Sequence, residues 1–192
     1  MNRLKSKGLK HMTRKRIIAI VLLAVLIVLG VISAYFLYKI NVDVVSDITV
    51  LNAEGTKGTV LVVYHPGISD FQSKVTHAFA NGLTSQGYRV EITTASGQAP
   101  TDLSKYRLLV LGSPTYAGNP APPLSRYLSS LGDLKGKHTV VICTASGNSA
   151  VAKMKSAVED SHGVVVDSLE LLTSDGQAEA KAAQEANKLT LP

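Results

Sequence analysis

Three short polar stretches carry the side chains best suited to chemistry. The first, His65-Pro66-Gly67-Ile68-Ser69-Asp70-Phe71-Gln72-Ser73, puts an imidazole, hydroxyls, a carboxamide and a carboxylate just ahead of an apolar repeat with helical spacing. A helix N-terminus at that point offers unpaired N–H groups to an anion, with Ser69, Gln72 and Ser73 as further donors and His65 assisting when protonated. Ser69 or Asp70 reads equally well as an N-cap that satisfies the same amides without a ligand. Pro66 contributes no N–H, and Asp70 would set a carboxylate beside any bound anion. The second stretch holds Pro114, Thr115, Tyr116, Ala117 and Gly118. Small residues there permit close backbone approach, while Tyr116 offers a flat apolar face with a hydroxyl tip, either to a planar ligand or as a cap on the core. The third, Thr144-Ala145-Ser146-Gly147-Asn148, offers two hydroxyls in a sequence that turn chemistry explains equally well.

Other chemistries find less support. Ser146 lacks the G-x-S-x-G context of a hydrolase nucleophile. His65, His77, His138 and His162 have no spacing that marks a triad or a metal pair, and no zinc motif exists. The one cysteine, Cys143, excludes an internal disulfide, and its neighbours Thr139 to Ile142 read as a buried strand in which it packs as a small apolar residue. No catalytic residue and no metal are expected.

Each polar stretch follows a strand-like apolar run. The runs Thr59–Tyr64, Arg89–Ile92, Leu108–Leu111, His138–Thr144 and Val164–Leu172 alternate with helical patterns over Phe71–Gln86, a stretch from near Pro123 to Leu131, Ala150–Ser161 and Gln177–Leu189. Such alternation predicts an α/β domain with a doubly wound, five-stranded parallel sheet, and the order 2-1-3-4-5 suits its size. Arg89-Val90-Glu91-Ile92 alternates polar with apolar residues, as a half-exposed strand near an edge would. In such sheets ligands sit beyond the carboxyl ends of the strands, where the three polar stretches fall.

The N-terminal part has a different solvent in view. From Ile17 to Tyr38 the chain carries no charge, enough for a helix to cross a hydrocarbon core of about 30 Å. The run is longer than a cleaved signal's apolar region and ends in Tyr35, Phe36 and Tyr38, which favours an uncleaved anchor in the lipid bilayer. Seven of the 20 basic residues (Arg3, Lys5, Lys7, Lys10, Arg14, Lys15, Arg16) precede it. The net charge of +6 is therefore a topology signal rather than a nucleic-acid footprint, and no nucleic-acid partner is expected. The expected organisation is a basic cytoplasmic arm (1–16), a transmembrane helix (17–38), a linker (39–58, with a short extended piece near Ile48–Leu51) and an α/β domain (59–192) on the opposite face of a cell membrane.

The segment Tyr106-Arg107-Leu108-Leu109-Val110-Leu111-Gly112-Ser113-Pro114-Thr115-Tyr116-Ala117-Gly118, with the Pro-Leu helix that follows, resembles the third strand and ring-binding loop of the flavodoxin family, and the resemblance extends in order over 59–189. It implies noncovalent FMN, with Tyr116 near the isoalloxazine ring, Thr144 to Gly147 on the ring's other side, and His65, Ser69, Gln72 and Ser73 in the position of the phosphate loop. The first loop departs from the family's S/T-x-T-G-x-T pattern in length, in Pro66 and in Asp70. The implied activity is electron transfer with redox partner proteins or a quinone. An NAD(P)H-quinone reductase and a binding or scaffold module that has lost FMN are the alternatives.

Overall fold

The structure, a computed structural model, describes residues 14–190, so the basic arm up to position 13 lies outside the described residues. The chain divides into two units, Met1–Tyr38 and Lys39–Pro192. Helix α1 (Arg14–Asn41) makes up the described part of the first and reaches a few residues past the apolar run at both ends. Its 28 residues rise roughly 42 Å, more than a hydrocarbon core of about 30 Å. Its apolar side chains from Ile17 to Tyr38 are exposed all round, as suits a helix whose solvent is lipid. Among the described residues it is the one helix long and apolar enough to cross a membrane.

In the second unit the elements run β1 (Thr49–Leu51), β2 (Thr59–Tyr64), α2 (Phe71–Ser85), β3 (Arg89–Thr94), β4 (Tyr106–Tyr116), β5 (Asn119–Pro120), α3 (Pro122–Leu131), β6 (His138–Ala145), α4 (Val151–Asp160), β7 (Val164–Leu172) and α5 (Ala178–Lys188). The sheet order is β1-β3-β2-β4-β6-β7, with β5 paired to β4 alone. Five strands, β3-β2-β4-β6-β7, pair in parallel, and β1 adds an antiparallel edge through Thr49↔Ile92 and Leu51↔Val90. Two-residue periodicity divides the core. Val60, Val62, Leu108, Val110 and Ile142 face Val75, Phe79, Leu83, Ala182 and Ala186 of α2 and α5. Leu61, Val63, Leu109, Leu111, Val141 and Cys143 face Leu124, Leu128, Met154 and Val158 of α3 and α4.

Three features differ from the sequence reading. The short extended piece expected within 39–58 is β1, and the segment does more than connect: β1 pairs with β3, and the Thr93 and Thr94 hydroxyls donate to the carbonyls of Ser46 and Val44 at 3.0 and 2.5 Å. Because β1 takes the edge, β3 is buried from Val90 to Thr94 rather than half-exposed. Buried Glu91 is paid for by the Tyr106 hydroxyl at 2.7 Å, Lys105 at 3.0 Å and Arg89 at 3.4 Å. Finally, β4 continues to Tyr116 where a loop is expected from Gly112. Its ladder with β6 runs on through Gly112↔Ile142, Ser113↔Cys143 and Pro114↔Thr144, and it then folds back as a tight hairpin with β5. The two hairpin residues, Ala117 and Gly118, have φ of 49° and 72°, the paired positive values a type I′ turn requires.

Candidate functional site

The chain leaves β2 toward β3 on one side and crosses back to β4 on the other, so the strand order reverses between β2 and β4. Beyond the carboxyl ends of these strands lies a crevice of ≈ 150 Å³. The loop after β2 and the first turn of α2 supply one wall (Gly67, Ser69, Gln72) and the end of β4 another (Pro114, Thr115, Tyr116). Thr144, Ala145 and Ser146 at the end of β6 close the third side, with Thr173 beside them. A more open hollow of ≈ 400 Å³ adjoins it, sharing Thr115 and Ser146 and adding Ala117, Gly118, Gly147 and Asn148. The three polar stretches of the sequence therefore meet at one place.

Local bonds fix the walls. The Ala150 N–H donates to Thr115 Oγ1 at 3.1 Å, which ties the loop after β6 to the hairpin. Lys153 Nζ donates to Asn119 Oδ1 at 2.6 Å, and Ser146 Oγ lies 3.1 Å from Thr173 Oγ1. Thr173 carries no sequence signal, since it becomes part of the site only through the pairing of β7 with β6, which brings Leu172 beside Ala145. Gly112 lets the floor form: a Cβ there would stand 2.8 Å from Tyr64 Cβ and 2.9 Å from Gln72 Nε2.

The first loop holds the main departures from the sequence expectations. Gln72 is buried, accepting from Thr144 Oγ1 at 2.7 Å and donating to Thr76 Oγ1 at 2.9 Å, so it braces α2 against β6 while it lines the crevice. His65 is also fully buried. Its Nδ1 accepts the Gly67 N–H at 3.1 Å, and its Nε2 has no hydrogen-bond partner among the described residues. Burial pulls the His65 pKa below the ordinary histidine value; the Val42 backbone and Asp43 oppose this, and Arg126 adds to it. The Nδ1 acceptor role likewise requires that nitrogen to be unprotonated. Ser73 stands on α2 outside the crevice lining, whereas Ser69 is at its rim.

Tyr116 reaches across the crevice, where its hydroxyl accepts the Ile68 N–H at 3.1 Å. Gly67 packs under it: a Cβ there would lie 3.2 Å from Pro114 Cγ and 3.3 Å from the Tyr116 hydroxyl oxygen. Burial raises the Tyr116 phenol pKa, partly offset by the Ile68 N–H. Asp70 occupies the N-cap position of α2 but makes no side-chain cap bond, pairing instead with Lys74 at 2.7 Å, which lowers its carboxyl pKa. The first turn of α2 is therefore uncapped by Asp70, while the Gly67 and Ile68 amides ahead of it are taken by the protein's own His65 and Tyr116. Cys143 lies behind this floor, its thiol pushed up to about 12 by burial and inert near neutral pH.

No protein-family model matches the chain, and no curated protein matches it in sequence. Solved structures do match. A flavodoxin from the domain Archaea superposes with a TM-score of 0.59 at 14% identity, covering 68% of this chain and 94% of that one. The two-electron reduced flavodoxin of Megasphaera elsdenii gives a TM-score of 0.58 at 17% identity over 68% and 99% of the two chains. An azoreductase from Bacillus anthracis str. Sterne gives 0.55 at 12% identity over 69% and 100%. The fold of the second unit is flavodoxin-like.

Proposed function

We propose that the protein is a membrane-tethered flavodoxin-like carrier that binds FMN noncovalently and passes electrons between partners close to a membrane. One observation carries this reading: three strand-end loops, two of them rich in small residues and one bearing Tyr116, converge at the point where the strand order reverses, the place where open α/β sheets take their ligands.

The residues suit the two ends of FMN unequally. The ring end is well supplied. Tyr116 presents a partly exposed aromatic face to the crevice it shares with Ser146, and the Ser146-Gly147-Asn148 stretch lines the adjoining open hollow with Thr115, Ala117 and Gly118, with little side-chain bulk. At the phosphate end the uncapped first turn of α2 and Ser69 favour an anion, but the Gly67 and Ile68 N–H groups must first leave His65 and Tyr116. The crevice of ≈ 150 Å³ is smaller than the roughly 300–1,000 Å³ of ordinary ligand sites, in keeping with a loop that shifts on binding. Bound FMN would supply one- and two-electron redox chemistry; the chain would position the ring and set the charge around it. Tethering through α1 favours partners held at the same membrane, either redox proteins or a lipid-soluble quinone.

The bonds within the first loop favour a second reading, a flavodoxin-fold binding module without flavin, because they satisfy that loop with no ligand. Incubating the full chain in detergent with FMN, followed by gel filtration, separates the two. Flavin absorbance travelling with the protein supports the carrier, and its loss from the protein peak supports the module.

A further inference from the structure

The segment that leaves the membrane helix does not simply run away from the domain. Arg126 on α3 donates through Nη2 to the Asn41 carbonyl at 2.7 Å and pairs with Asp43 at 2.5 Å. Further along, the Thr94 N–H donates to Ser46 Oγ at 3.1 Å, in addition to the bonds from the Thr93 and Thr94 hydroxyls to the Ser46 and Val44 carbonyls. Thr93 and Thr94 stand in register with Val63 and Tyr64 of β2, and His65 is the residue that follows the strand. His65 is fully buried one residue beyond Tyr64, the register partner of the same Thr94 that holds Val44 and Ser46, and the Val42 backbone and Asp43 oppose, while Arg126 reinforces, the lowering of its pKa by burial. From that position its Nδ1 holds the Gly67 N–H, and the neighbouring Ile68 N–H is held by Tyr116.

We propose that residues 41–46 form a strap that couples the membrane-proximal chain to the candidate site, holding His65 buried and the first loop closed while it is seated. With the strap seated, water is kept from the imidazole, and the ring keeps its bond to Gly67. With the strap lifted, His65 is hydrated and free to turn. The Gly67 N–H is then released, and the closed loop loses one of the two side-chain bonds that hold its amides. The regulated event is the exposure of loop amides to an anionic group, and its lever is the chain that leads to the bilayer. This proposal rests on the flavin reading only for the identity of that group.

Hydrogen–deuterium exchange on the full chain in lipid nanodiscs, without added ligand, tests the coupling directly. Arg126 and Asp43 are substantially exposed, so Arg126→Glu removes the strap's first fastening without opening the core. Exchange over residues 65–70 is expected to rise about tenfold, the scale of one lost charge-assisted bond, with the buried β6 amides unchanged. Adding Asp43→Lys to Arg126→Glu restores the pair in reverse and returns the loop to slow exchange. Ser46→Ala, which loosens the second fastening, acts in the same direction as Arg126→Glu. Unchanged exchange over 65–70 in both single variants, or an equal rise throughout the domain, overturns the proposal. FMN titration forms a separate arm. Tighter binding by Arg126→Glu supports the strap, since a larger open population raises apparent affinity. FMN binding to neither protein, together with a loop that responds in exchange, leaves the strap supported and removes the flavin reading.

Discussion

At the residue scale the first loop turns on His65 and Tyr116. A buried imidazole with a lowered pKa takes up its proton at lower pH in the fold than in the unfolded chain, which does so near pH 6.5. Between that value and the lower native one the unfolded state binds more protons, so stability is present above about pH 6.5 and is lost as pH falls toward the native pKa. Urea unfolding midpoints are therefore expected to fall between pH 7.5 and 5.5, and His65→Gln to flatten that dependence; parallel pH profiles for the two proteins would refute the assignment. Tyr116 separates into a ring and a hydroxyl. Tyr116→Phe keeps the aromatic face and deletes the acceptor for the Ile68 N–H, so FMN affinity should hold or improve. Tyr116→Ala should weaken it by about 1–3 kcal/mol, on the scale of aromatic–base stacking. Fluorescence titration of FMN that finds the two variants alike would take the ring out of the site.

At the element scale α2 is the part on which both the site and the core depend. Its first turn borders the crevice, and near its C-terminus it packs on α5 so closely that a Cβ on Gly82 would lie 2.6 Å from the Ala183 carbonyl oxygen and 2.6 Å from Ala186 Cβ. Helix propensity alone favours Gly82→Ala by about 0.8–1 kcal/mol, but the clash with backbone is expected to reverse the sign and cost about 1–3 kcal/mol net. Thermal or urea unfolding checks the direction. At the other end of the sheet, Glu91→Ala strands the buried Tyr106 hydroxyl and should cost about 1–3 kcal/mol, while Lys105→Ala, which removes a largely exposed partner, should cost under about 1 kcal/mol. These positions also mark where local pattern stopped being informative. The apolar runs of β2, β4 and β6 and the stripes of their helices were readable because burial on both faces leaves a local signature. Glu91 was not: its alternation suggested an exposed face, and its partner Tyr106 is fifteen residues away in sequence. The same holds for the bond from Ile68 to Tyr116, which spans 48 positions, and for Thr173, brought to the crevice by strand pairing. The sequence identified the three loops that gather at the site but not the bonds that close one of them.

At the scale of the whole molecule the proposed tether carries a testable topology for the flavodoxin-like unit. Arg14, Lys15 and Arg16, with the basic residues before them, precede the apolar run, while Asp43, Asp47 and Glu54 follow it, and cytoplasmic flanks carry the excess of Lys and Arg. By that rule the N-terminus is expected in the cytoplasm and the domain on the far side, where a bound flavin would have to be loaded before export or delivered. The native cysteine makes the test simple. Cys143 is buried with its thiol pushed up to about 12, so a membrane-impermeant maleimide should leave the folded wild-type chain unlabelled. A new cysteine at exposed Asp160, placed by Asp160→Cys on the last turn of α4, should then label in intact cells if the domain is outside. Labelling of Asp160→Cys only after lysis would put the domain in the cytoplasm. Under the carrier reading the partners to test would then be those of the cell interior.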